Sequence, residues 1–202
     1  CKVSFPTEKE FSLIKENSHL IVSNYNPEKE KQFITNKIKI FALNLLPRIT
    51  RAQSMDVLSS QANLAGYRAV IESIYEYQKA VPMMMTAAGT VPAAKVLVVG
   101  AGVAGLQAIA TAKRLGAIVS ATDVRLTAKE QVESLGGKFL IVEGSEDLET
   151  KGGYAKEASE DFKKKQAQML ENAAAKSDII ICTALIPGRP APRIITEKMI
   201  DN

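Results

Sequence analysis

The chain contains 202 residues with a formal net charge of +4, 46% hydrophobic residues and 24% charged residues, as is ordinary for a globular protein with one large or two smaller cores. Its basic residues are interspersed with acidic ones and only 5% of residues are aromatic, so we expect no nucleic-acid-binding surface. The two cysteines, Cys1 and Cys182, supply neither a disulfide framework nor a metal site, which favours a reducing compartment, and we expect Cys182 to be buried and inert.

The first part of the chain has the pattern of a βαβ unit. A β-rich run at residues 19–25 is followed by Asn26 and Pro27, which are typical of a helix start. A second apolar run covers residues 38–46. We therefore predict that residues 1–49 form part of a first α/β lobe.

A long helix is predicted to link this lobe to a second one. Apolar residues recur at helical spacing through residues 50–80, and no proline interrupts them. Two prolines and a glycine then fall within residues 81–94, which we interpret as a boundary segment between domains.

Strands and helices alternate through residues 95–202, which we predict to be a second lobe. The predicted strands are residues 96–100, 117–123, 138–142 and 178–185, and the predicted helices are residues 103–116, 127–135 and 154–176. Thr127 and Glu130 fit a capping box. Continuous β-branched runs separated by helices indicate a Rossmann-like doubly wound parallel sheet in an α/β protein. Because such a sheet usually has about six strands, we expect the chain to be truncated at both ends.

Gly100, Gly102 and Gly105 form a G-x-G-x-x-G pattern between the first of these strands and the next helix. In a dinucleotide-binding loop the first glycine permits the turn, the second lets the backbone approach the pyrophosphate, and the third lets the helix pack closely. Asp123 ends the next strand, where a carboxylate can accept hydrogen bonds from ribose hydroxyls. The alternative is a close-packed βα turn with Asp123 as a solvated strand-end residue.

Asp123 also favours NAD(H) over NADP(H). A 2′-phosphate beside the carboxylate would meet a like charge, at a cost of about 4 kcal/mol for a separation near 4 Å and an effective dielectric constant near 20. Arg125, two residues further along the chain, could soften that repulsion. We therefore predict NAD(H) as the cofactor.

Polar side chains are concentrated at the start of the linking helix, in PRITRAQSMDVLSSQ. One interpretation is structural: Thr50 and Gln53 fit a capping box, Asp56 complements the helix dipole, and Arg48 is solvated. The other is a functional site. The pattern alone does not decide between them.

This segment resembles the NAD(H)-binding domain I of proton-translocating NAD(P) transhydrogenase. Further motifs of the same domain follow in order, namely MMMTAAGTVPAAKVLVVGAGVAGLQAIATAKRLGA, ATDVR, KEQVESLGGKF, GGYAKE and TALIPGRPAP. The resemblance runs from about Ile14 to the C-terminus. It implies a two-lobed domain that dimerises and holds the cofactor in the cleft between its lobes.

The resemblance also implies roles for individual residues. Those expected around the nicotinamide and its ribose are Arg48, Gln53, Ser54, Met55, Asp56 and Ser59. Of these, Gln53, Arg48 and Asp56 would be catalytic, with Gln53 reaching towards NADP(H) on the partner domain. Those expected at the pyrophosphate are Gly100, Gly102, Val103, Ala104 and Gly105, and those at the adenosine ribose are Asp123, Val124 and Arg125.

A mobile loop that closes over the cofactor is expected to contain Gly153 and Tyr154, with Gln166 behind it and Leu185 near the nicotinamide. The polar stretch EGSEDLETKGGY is longer than a βα connection requires, which favours such a loop over a disordered surface insertion.

The family transfers hydride directly from NADH to NADP+ on a separate domain III, so two nicotinamides need only be placed face to face. No acid, base or metal is then required, which agrees with a sequence that lacks an obvious acid–base pair. We therefore expect an oxidoreductase of the Si/Re-specific type that needs domain III and the proton-translocating membrane domain II as partners.

The resemblance implies a peripheral protein on the cytoplasmic face of a bacterial inner membrane or on the mitochondrial matrix side, soluble by itself. No direct membrane span is expected, because the uncharged stretch between Lys95 and Lys113 is shorter than roughly 20 apolar residues and contains glycines. Two alternatives stay open. One is an NAD-dependent amino-acid dehydrogenase of the alanine dehydrogenase kind, for which His19 is the sole histidine available. The other is a non-catalytic NAD-binding or assembly module.

Overall fold

The computed structural model describes residues 5–23, 25, 27, 34, 36–47, 49–142, 159–185 and 190–200. The chain divides into two compact units, Cys1–Gln61 and Ala62–Asn202. Each unit has its own buried apolar residues.

The first unit contains a short helix and a two-stranded parallel sheet. Helix α1 is Glu8–Phe11, and strand β1 (His19–Val22) pairs in parallel with β2 (Lys39–Ala42). The side chains of Leu20 and Val22 are buried on one face of β1. The predicted parallel strands are confirmed, whereas most of the helix predicted between them lies outside the described residues.

The helix predicted for residues 50–80 is not continuous. A 3-10 helix (Thr50–Met55) comes first, and helix α2 (Val57–Tyr77) begins only after Asp56. The Asp56 carboxylate accepts the backbone N–H of Ser59 at 3.0 Å, as an N-cap residue does. The linking helix is therefore shorter than predicted, because it begins only after the N-cap residue Asp56.

The capping box considered for Thr50 and Gln53 does not form. The residue that precedes the 3-10 helix is Ile49, and no side chain caps this end. An isoleucine side chain has no acceptor atom for a backbone N–H and cannot cap a helix. The residue that does cap a helix here is Asp56, at the start of α2.

A β-hairpin occupies the predicted boundary segment, residues 81–94. Strand β3 (Met84–Thr86) pairs in antiparallel fashion with β4 (Gly89–Val91). The Thr86 hydroxyl donates to the Gly89 carbonyl at 2.8 Å, and Gly89 has a φ of 128°. These strands are short and exposed and lack alternating hydrophobicity, so the sequence pattern did not indicate them.

The second unit is built on a four-stranded parallel sheet with the order β7-β6-β5-β8. Its strands are β5 (Lys95–Val99), β6 (Ile118–Thr122), β7 (Lys138–Phe139) and β8 (Ile179–Cys182). This order confirms the predicted doubly wound sheet. The chain moves outward from β5 in one direction through β6 and β7, then returns to the other side of β5 with β8, so β5 and β8 flank a topological switch point.

Helices cover both faces of this sheet. They are α3 (Val103–Arg114), α4 (Ala128–Ser134), α5 (Glu160–Ala174) and α6 (Glu197–Ile200). Val96 and Val98 of β5 pack in the cluster that contains α3 and α4, whereas Leu97 and Val99 pack with Leu170 of α5. Both faces of β5 are therefore buried, as predicted for a parallel strand. Among the described residues, none of the helices has the length and apolar character needed to cross a membrane.

The capping box predicted for Thr127 and Glu130 is wrong. Thr127 has φ −60° and ψ −25°, and no side-chain hydrogen bond caps the helix there. A residue in the right-handed helical conformation belongs to the helical turn itself, and an N-cap residue must leave it.

Candidate functional site

Three segments meet at the carboxyl edge of the second unit's sheet. They follow β5, β6 and β8 and begin with Gly100, Asp123 and Thr183. Hydrogen bonds join the first segment to both of the others, through the Ala101 N–H and the Gly100 carbonyl. Ligands of doubly wound sheets bind at this edge, at the switch point between strands. We take this edge as the candidate site.

Glycines shape the loop between β5 and α3. Gly100 has a φ of 98°, which L-residues rarely adopt, and a β-carbon there would lie 2.8 Å from the backbone nitrogen of Ala184. A β-carbon on Gly105 would overlap the carbonyl oxygen of Gly100, so α3 lies close against the loop. Among the described residues, apart from the chain neighbours of Gly102, no atom lies within 4 Å of the place where a Gly102 β-carbon would stand, so this part of the loop is open.

The amino end of α3 points N–H groups at this opening. Gly102 is the N-cap residue, and the first intrahelical bond runs from the Leu106 N–H to the Gly102 carbonyl at 2.8 Å. The N–H groups from Gly102 to Gly105 therefore have no acceptor within the helix. With the positive end of the helix dipole, they form a group that can bind a phosphate.

Asp123 lies against this loop with its side chain only 8% exposed. Its Oδ2 accepts the Ala101 N–H at 2.7 Å, and its Oδ1 accepts the Arg125 backbone N–H at 2.9 Å. The Arg125 guanidinium donates to both oxygens, from Nε to Oδ1 at 2.9 Å and from Nη2 to Oδ2 at 3.0 Å. A carboxylate has about four acceptor positions, so this one is fully used by the protein.

These hydrogen bonds also control the charge of the carboxyl group. Burial alone raises the pKa of Asp123, but the hydrogen bonds from the Arg125 side chain, the Arg125 backbone and Ala101, with the guanidinium charge, outweigh it. The pKa of Asp123 therefore lies below its ordinary value of 3.8, and the group is ionised at neutral pH.

Two residues that the sequence analysis did not select also contact the loop. The Thr183 hydroxyl donates to the Gly100 carbonyl at 2.7 Å. Gly66 of α2 is buried where a β-carbon would overlap the carbonyl oxygen of Ala104. A lone glycine inside a helical pattern indicates close packing, so the close contact at Gly66 could have been predicted from the sequence. No local pattern marks Thr183.

The other residues predicted for the second unit are less closely assembled. Val103 is 41% exposed at the start of α3, and Val124 is half-buried beside Asp123. Gln166 is half-buried on α5, and Leu185, after β8, is 70% exposed. The predicted loop residues Gly153 and Tyr154 lie outside the described residues.

The predicted nicotinamide-side residues belong to the first unit. Gln53, Ser54 and Met55 are exposed in the 3-10 helix. Asp56 and Ser59 are brought together, because Ser59 donates its backbone N–H to Oδ1 at 3.0 Å and its hydroxyl to Oδ2 at 2.7 Å. Arg48 lies outside the described residues.

The expectation that Cys182 is buried is wrong. Along β8 the buried side chains are Ile179 and Ile181, and Cys182 at the strand end is exposed. Partial desolvation raises the pKa of its thiol, which stays protonated at neutral pH. Among the described residues, no cluster of histidine, cysteine, aspartate and glutamate could hold a metal ion.

A shallow groove lies at the opposite, amino edge of the same sheet. Its lining residues are Ile74, Val81, Pro82, Arg114, Leu115 and Gly116. It offers apolar side chains and one guanidinium, whereas the carboxyl edge offers backbone N–H groups and a carboxylate. We therefore take the carboxyl edge, and not this groove, as the candidate site.

Comparison with known proteins places this geometry in a family. The model of the alanine dehydrogenase/PNT C-terminal domain matches residues 69–202, and that of the N-terminal domain matches residues 1–65. The chain belongs to the alanine dehydrogenase/PNT family.

The chain is similar to transhydrogenases of this family over almost its whole length. It is 61% identical over 197 residues to an NAD(P) transhydrogenase subunit alpha of Rhodospirillum rubrum, covering 95% of this chain and 51% of that protein. Against the crystal structure of transhydrogenase from Sinorhizobium meliloti, it has a TM-score of 0.83 and 54% identity, with 99% of this chain and 54% of the other covered. The resemblance to NAD(P) transhydrogenase is therefore confirmed.

Alanine dehydrogenase 2 of Staphylococcus aureus is more distant. It is 27% identical over 206 residues, covering 98% of this chain and 49% of that protein. The chain spans about half the length of these relatives. The activity of the whole protein is accordingly a matter for proposal.

Proposed function

We propose that this chain binds NAD(H) and passes hydride between NADH and NADP+ held on a partner domain III, as the NAD(H)-binding component of a proton-translocating transhydrogenase. The observation that carries the proposal is the hydrogen bond between the Ala101 N–H and the Asp123 carboxylate. It supports the proposal because it sets a carboxylate, which could accept ribose hydroxyls, directly beside a helix end whose N–H groups could bind a phosphate. Identity of 61% to a transhydrogenase, against 27% to an alanine dehydrogenase, supports the choice of reaction.

The groups present at the carboxyl edge fit a dinucleotide. The pyrophosphate would accept hydrogen bonds from backbone N–H groups of the first turn of α3, contributed by Gly102, Val103, Ala104 and Gly105. Gly100 would shape the turn, because its own N–H donates to the Thr122 carbonyl at 2.8 Å. The open space beside Gly102 gives the phosphates room to approach. The adenosine ribose would lie at Asp123, Val124 and Arg125.

Ribose binding requires an exchange of partners at Asp123. Because the protein itself fills the acceptor positions of the carboxylate, a ribose hydroxyl can donate only where an Arg125 N–H gives way. The Ala101 N–H can stay in place during this exchange, since it binds Oδ2 from the loop side. The carboxylate would thus remain anchored to the loop.

Hydride transfer between two nicotinamides needs few chemical groups from the protein. When bound, the two nicotinamides supply the chemistry, in which one hydride leaves NADH and joins NADP+, giving NAD+ and NADPH. The chain has to orient one ring and exclude water. We propose that Arg48, Gln53 and Asp56 do so with their neighbours Ser54, Met55 and Ser59, and that Leu185 lies close by. Gly153, Tyr154 and Gln166 would close the site.

The assembly needed for turnover also belongs to this proposal. The partners would be the NADP-binding domain III, the membrane domain II and a second copy of the chain. The protein would then be peripheral, on the cytoplasmic face of a bacterial inner membrane or on the mitochondrial matrix side.

The test mixes the chain with NADP-loaded domain III and follows reduction of an NAD+ analogue by NADH. Turnover that needs both proteins and NADP is the expected result. Asp123→Ala should abolish most of it, whereas Asp161→Asn, on the exposed face of α5, should have no effect.

Three other outcomes contradict the proposal in different ways. Steady NADH oxidation with pyruvate and ammonium, without domain III, indicates an alanine dehydrogenase. NADH binding without turnover in either assay indicates a binding module. Failure to bind NADH removes the proposed cofactor. In an alanine dehydrogenase, His19 would be the histidine available for catalysis. It is exposed and stacks on Phe41 at a centroid distance of 6.0 Å.

A further inference from the structure

The peptide bond between Gly100 and Ala101 is held at both of its polar ends. Its carbonyl oxygen accepts the Thr183 hydroxyl at 2.7 Å, and its N–H donates to Asp123 Oδ2 at 2.7 Å. The two partners come from different strands, since Thr183 follows β8 and Asp123 follows β6. Groups on both sides of β5 thus fix one peptide plane.

We propose that Thr183 is a positioning residue that sets the orientation of this peptide, and through it the phosphate-binding end of α3. The proposal rests on the proposed function, in that the ligand is a dinucleotide. Thr183 itself would not touch the cofactor. It would act through the Gly100 carbonyl, which it holds between the end of β8 and Gly105 of α3.

The loop needs such a restraint because its first residue is a glycine. With a φ of 98°, Gly100 lies in a region where glycine has wide conformational freedom, and the peptide that follows can rotate at little steric cost. A rotated peptide would present a carbonyl oxygen near the N–H groups of α3 and would repel a phosphate. The Thr183 hydroxyl opposes that rotation because it needs the carbonyl as its acceptor.

The packing around Thr183 is consistent with this role. A β-carbon on Gly105 would come within 2.9 Å of the Thr183 hydroxyl oxygen, and one on Gly100 within 3.0 Å of it. The same hydroxyl lies 3.4 Å from the Val99 carbonyl. The hydroxyl therefore sits between the end of β5 and the first turn of α3, at the switch point of the sheet.

The test compares Thr183→Val with Thr183→Ser. Valine keeps the shape and loses the hydroxyl, whereas serine keeps the hydroxyl. By calorimetric titration, Thr183→Val should bind NADH and ADP-ribose about fivefold to tenfold more weakly than wild type, and Thr183→Ser within about twofold of it. ADP-ribose lacks the nicotinamide, so an equal loss for both ligands shows that the effect does not depend on the nicotinamide and lies in the ADP-ribose part of the cofactor.

A matched control is Thr111→Val. Thr111 is buried, and its hydroxyl also donates to a carbonyl, that of Gln107 at 2.8 Å, but further along α3. It should leave affinity unchanged. Wild-type affinity in Thr183→Val, or an equal loss in Thr183→Ser, would overturn the positioning role.

A second measurement does not depend on the cofactor. Hydrogen exchange of the Ala101 amide should be faster in Thr183→Val than in wild type or Thr183→Ser without any ligand, because a rotating peptide exposes that N–H. Unchanged protection overturns the inference. If wild type itself fails to bind NADH, the proposed function is overturned, and the exchange rates alone then decide whether Thr183 orients the loop.

Discussion

Asp123 and Arg125 form a two-pronged ion pair beside the glycine loop, with Nε 2.9 Å from Oδ1 and Nη2 3.0 Å from Oδ2. Both side chains are shielded, at 8% and 19% exposure. Bidentate charge-assisted bonds are stronger than neutral ones and fix the orientation of the carboxylate. The acidic group that should distinguish a ribose from its 2′-phosphate is therefore largely neutralised by its own neighbour.

Asp123→Asn should lower the free energy of unfolding by about 2 kcal/mol near pH 7, because it removes a buried charge-assisted pair. The pKa of Asp123 is lower in the folded state than its ordinary 3.8, so the stabilisation is complete above that value and is lost as the pH falls through the folded pKa. The gap between variant and wild type in urea unfolding should therefore narrow as the pH falls below 3.8 and through the folded-state pKa of Asp123.

The control for this experiment is Asp161→Asn, whose carboxylate is 76% exposed and pairs with Lys165 on the surface. It should change the free energy of unfolding by less than about 0.5 kcal/mol at every pH. A gap for Asp123→Asn that stayed constant into acid would show that the charge of Asp123 does not matter for stability.

Arg125→Gln should sharpen the preference for NAD(H) over NADP(H). Without the guanidinium, the Asp123 carboxylate meets the 2′-phosphate unshielded, so the ratio of the NADPH and NADH dissociation constants should rise by about tenfold or more. Parallel titrations with both nucleotides measure the ratio. Arg114→Gln, which removes an exposed arginine at the opposite edge of the sheet, should leave it unchanged. A ratio that fell would mean that Arg125 favours the phosphate-free ribose over its 2′-phosphate.

Gly102→Ala and Gly105→Ala should have opposite consequences. A methyl group at Gly102 meets no atom of the described, non-adjoining residues within 4 Å, so stability should change by less than about 1 kcal/mol. NADH affinity should fall by about tenfold, because the methyl occupies the phosphate approach. A methyl group at Gly105 overlaps the Gly100 carbonyl and should lower the free energy of unfolding by about 3 kcal/mol. Thermal unfolding and NADH titration on both variants provide the comparison. Equal destabilisation by the two would contradict the loop geometry.

Asp56→Ala should lower the free energy of unfolding by about 1 kcal/mol, because the cap on the Ser59 N–H is lost. Asparagine caps a helix about as well as aspartate, so Asp56→Asn should change stability by only a few tenths of a kcal/mol. The asparagine variant therefore separates capping from the role proposed beside the nicotinamide. Slower hydride transfer in Asp56→Asn, at unchanged stability, is the expected result. Full activity would leave Asp56 as a helix cap alone.

Sequence patterns predicted the structure correctly where the conformation of a segment depends on its own residues. The strand that ends at Val99, the helix that follows Gly102 and the acid that follows β6 were all predicted, because hydrophobic period and glycine spacing are properties of neighbouring residues. Local signals failed at two other helix starts. Asp56 and not Thr50 caps α2, and Thr127 lies inside a helical turn. Several polar residues stand near each helix start, and the direction from which the chain enters the helix determines which of them becomes the N-cap.

The sequence by itself determined the class of this protein: an alternating α/β chain with a glycine loop, an acid at the next strand end, and motifs of one enzyme family. Only the tertiary structure decided which groups meet there. Strand order brings Thr183 to the Gly100 carbonyl across 83 positions of sequence, and Asp123 to the Ala101 N–H across 22. The physical reason is that a parallel sheet aligns the ends of strands regardless of their separation along the chain, so hydrogen-bond partners at its edge are set by topology and not by neighbouring residues.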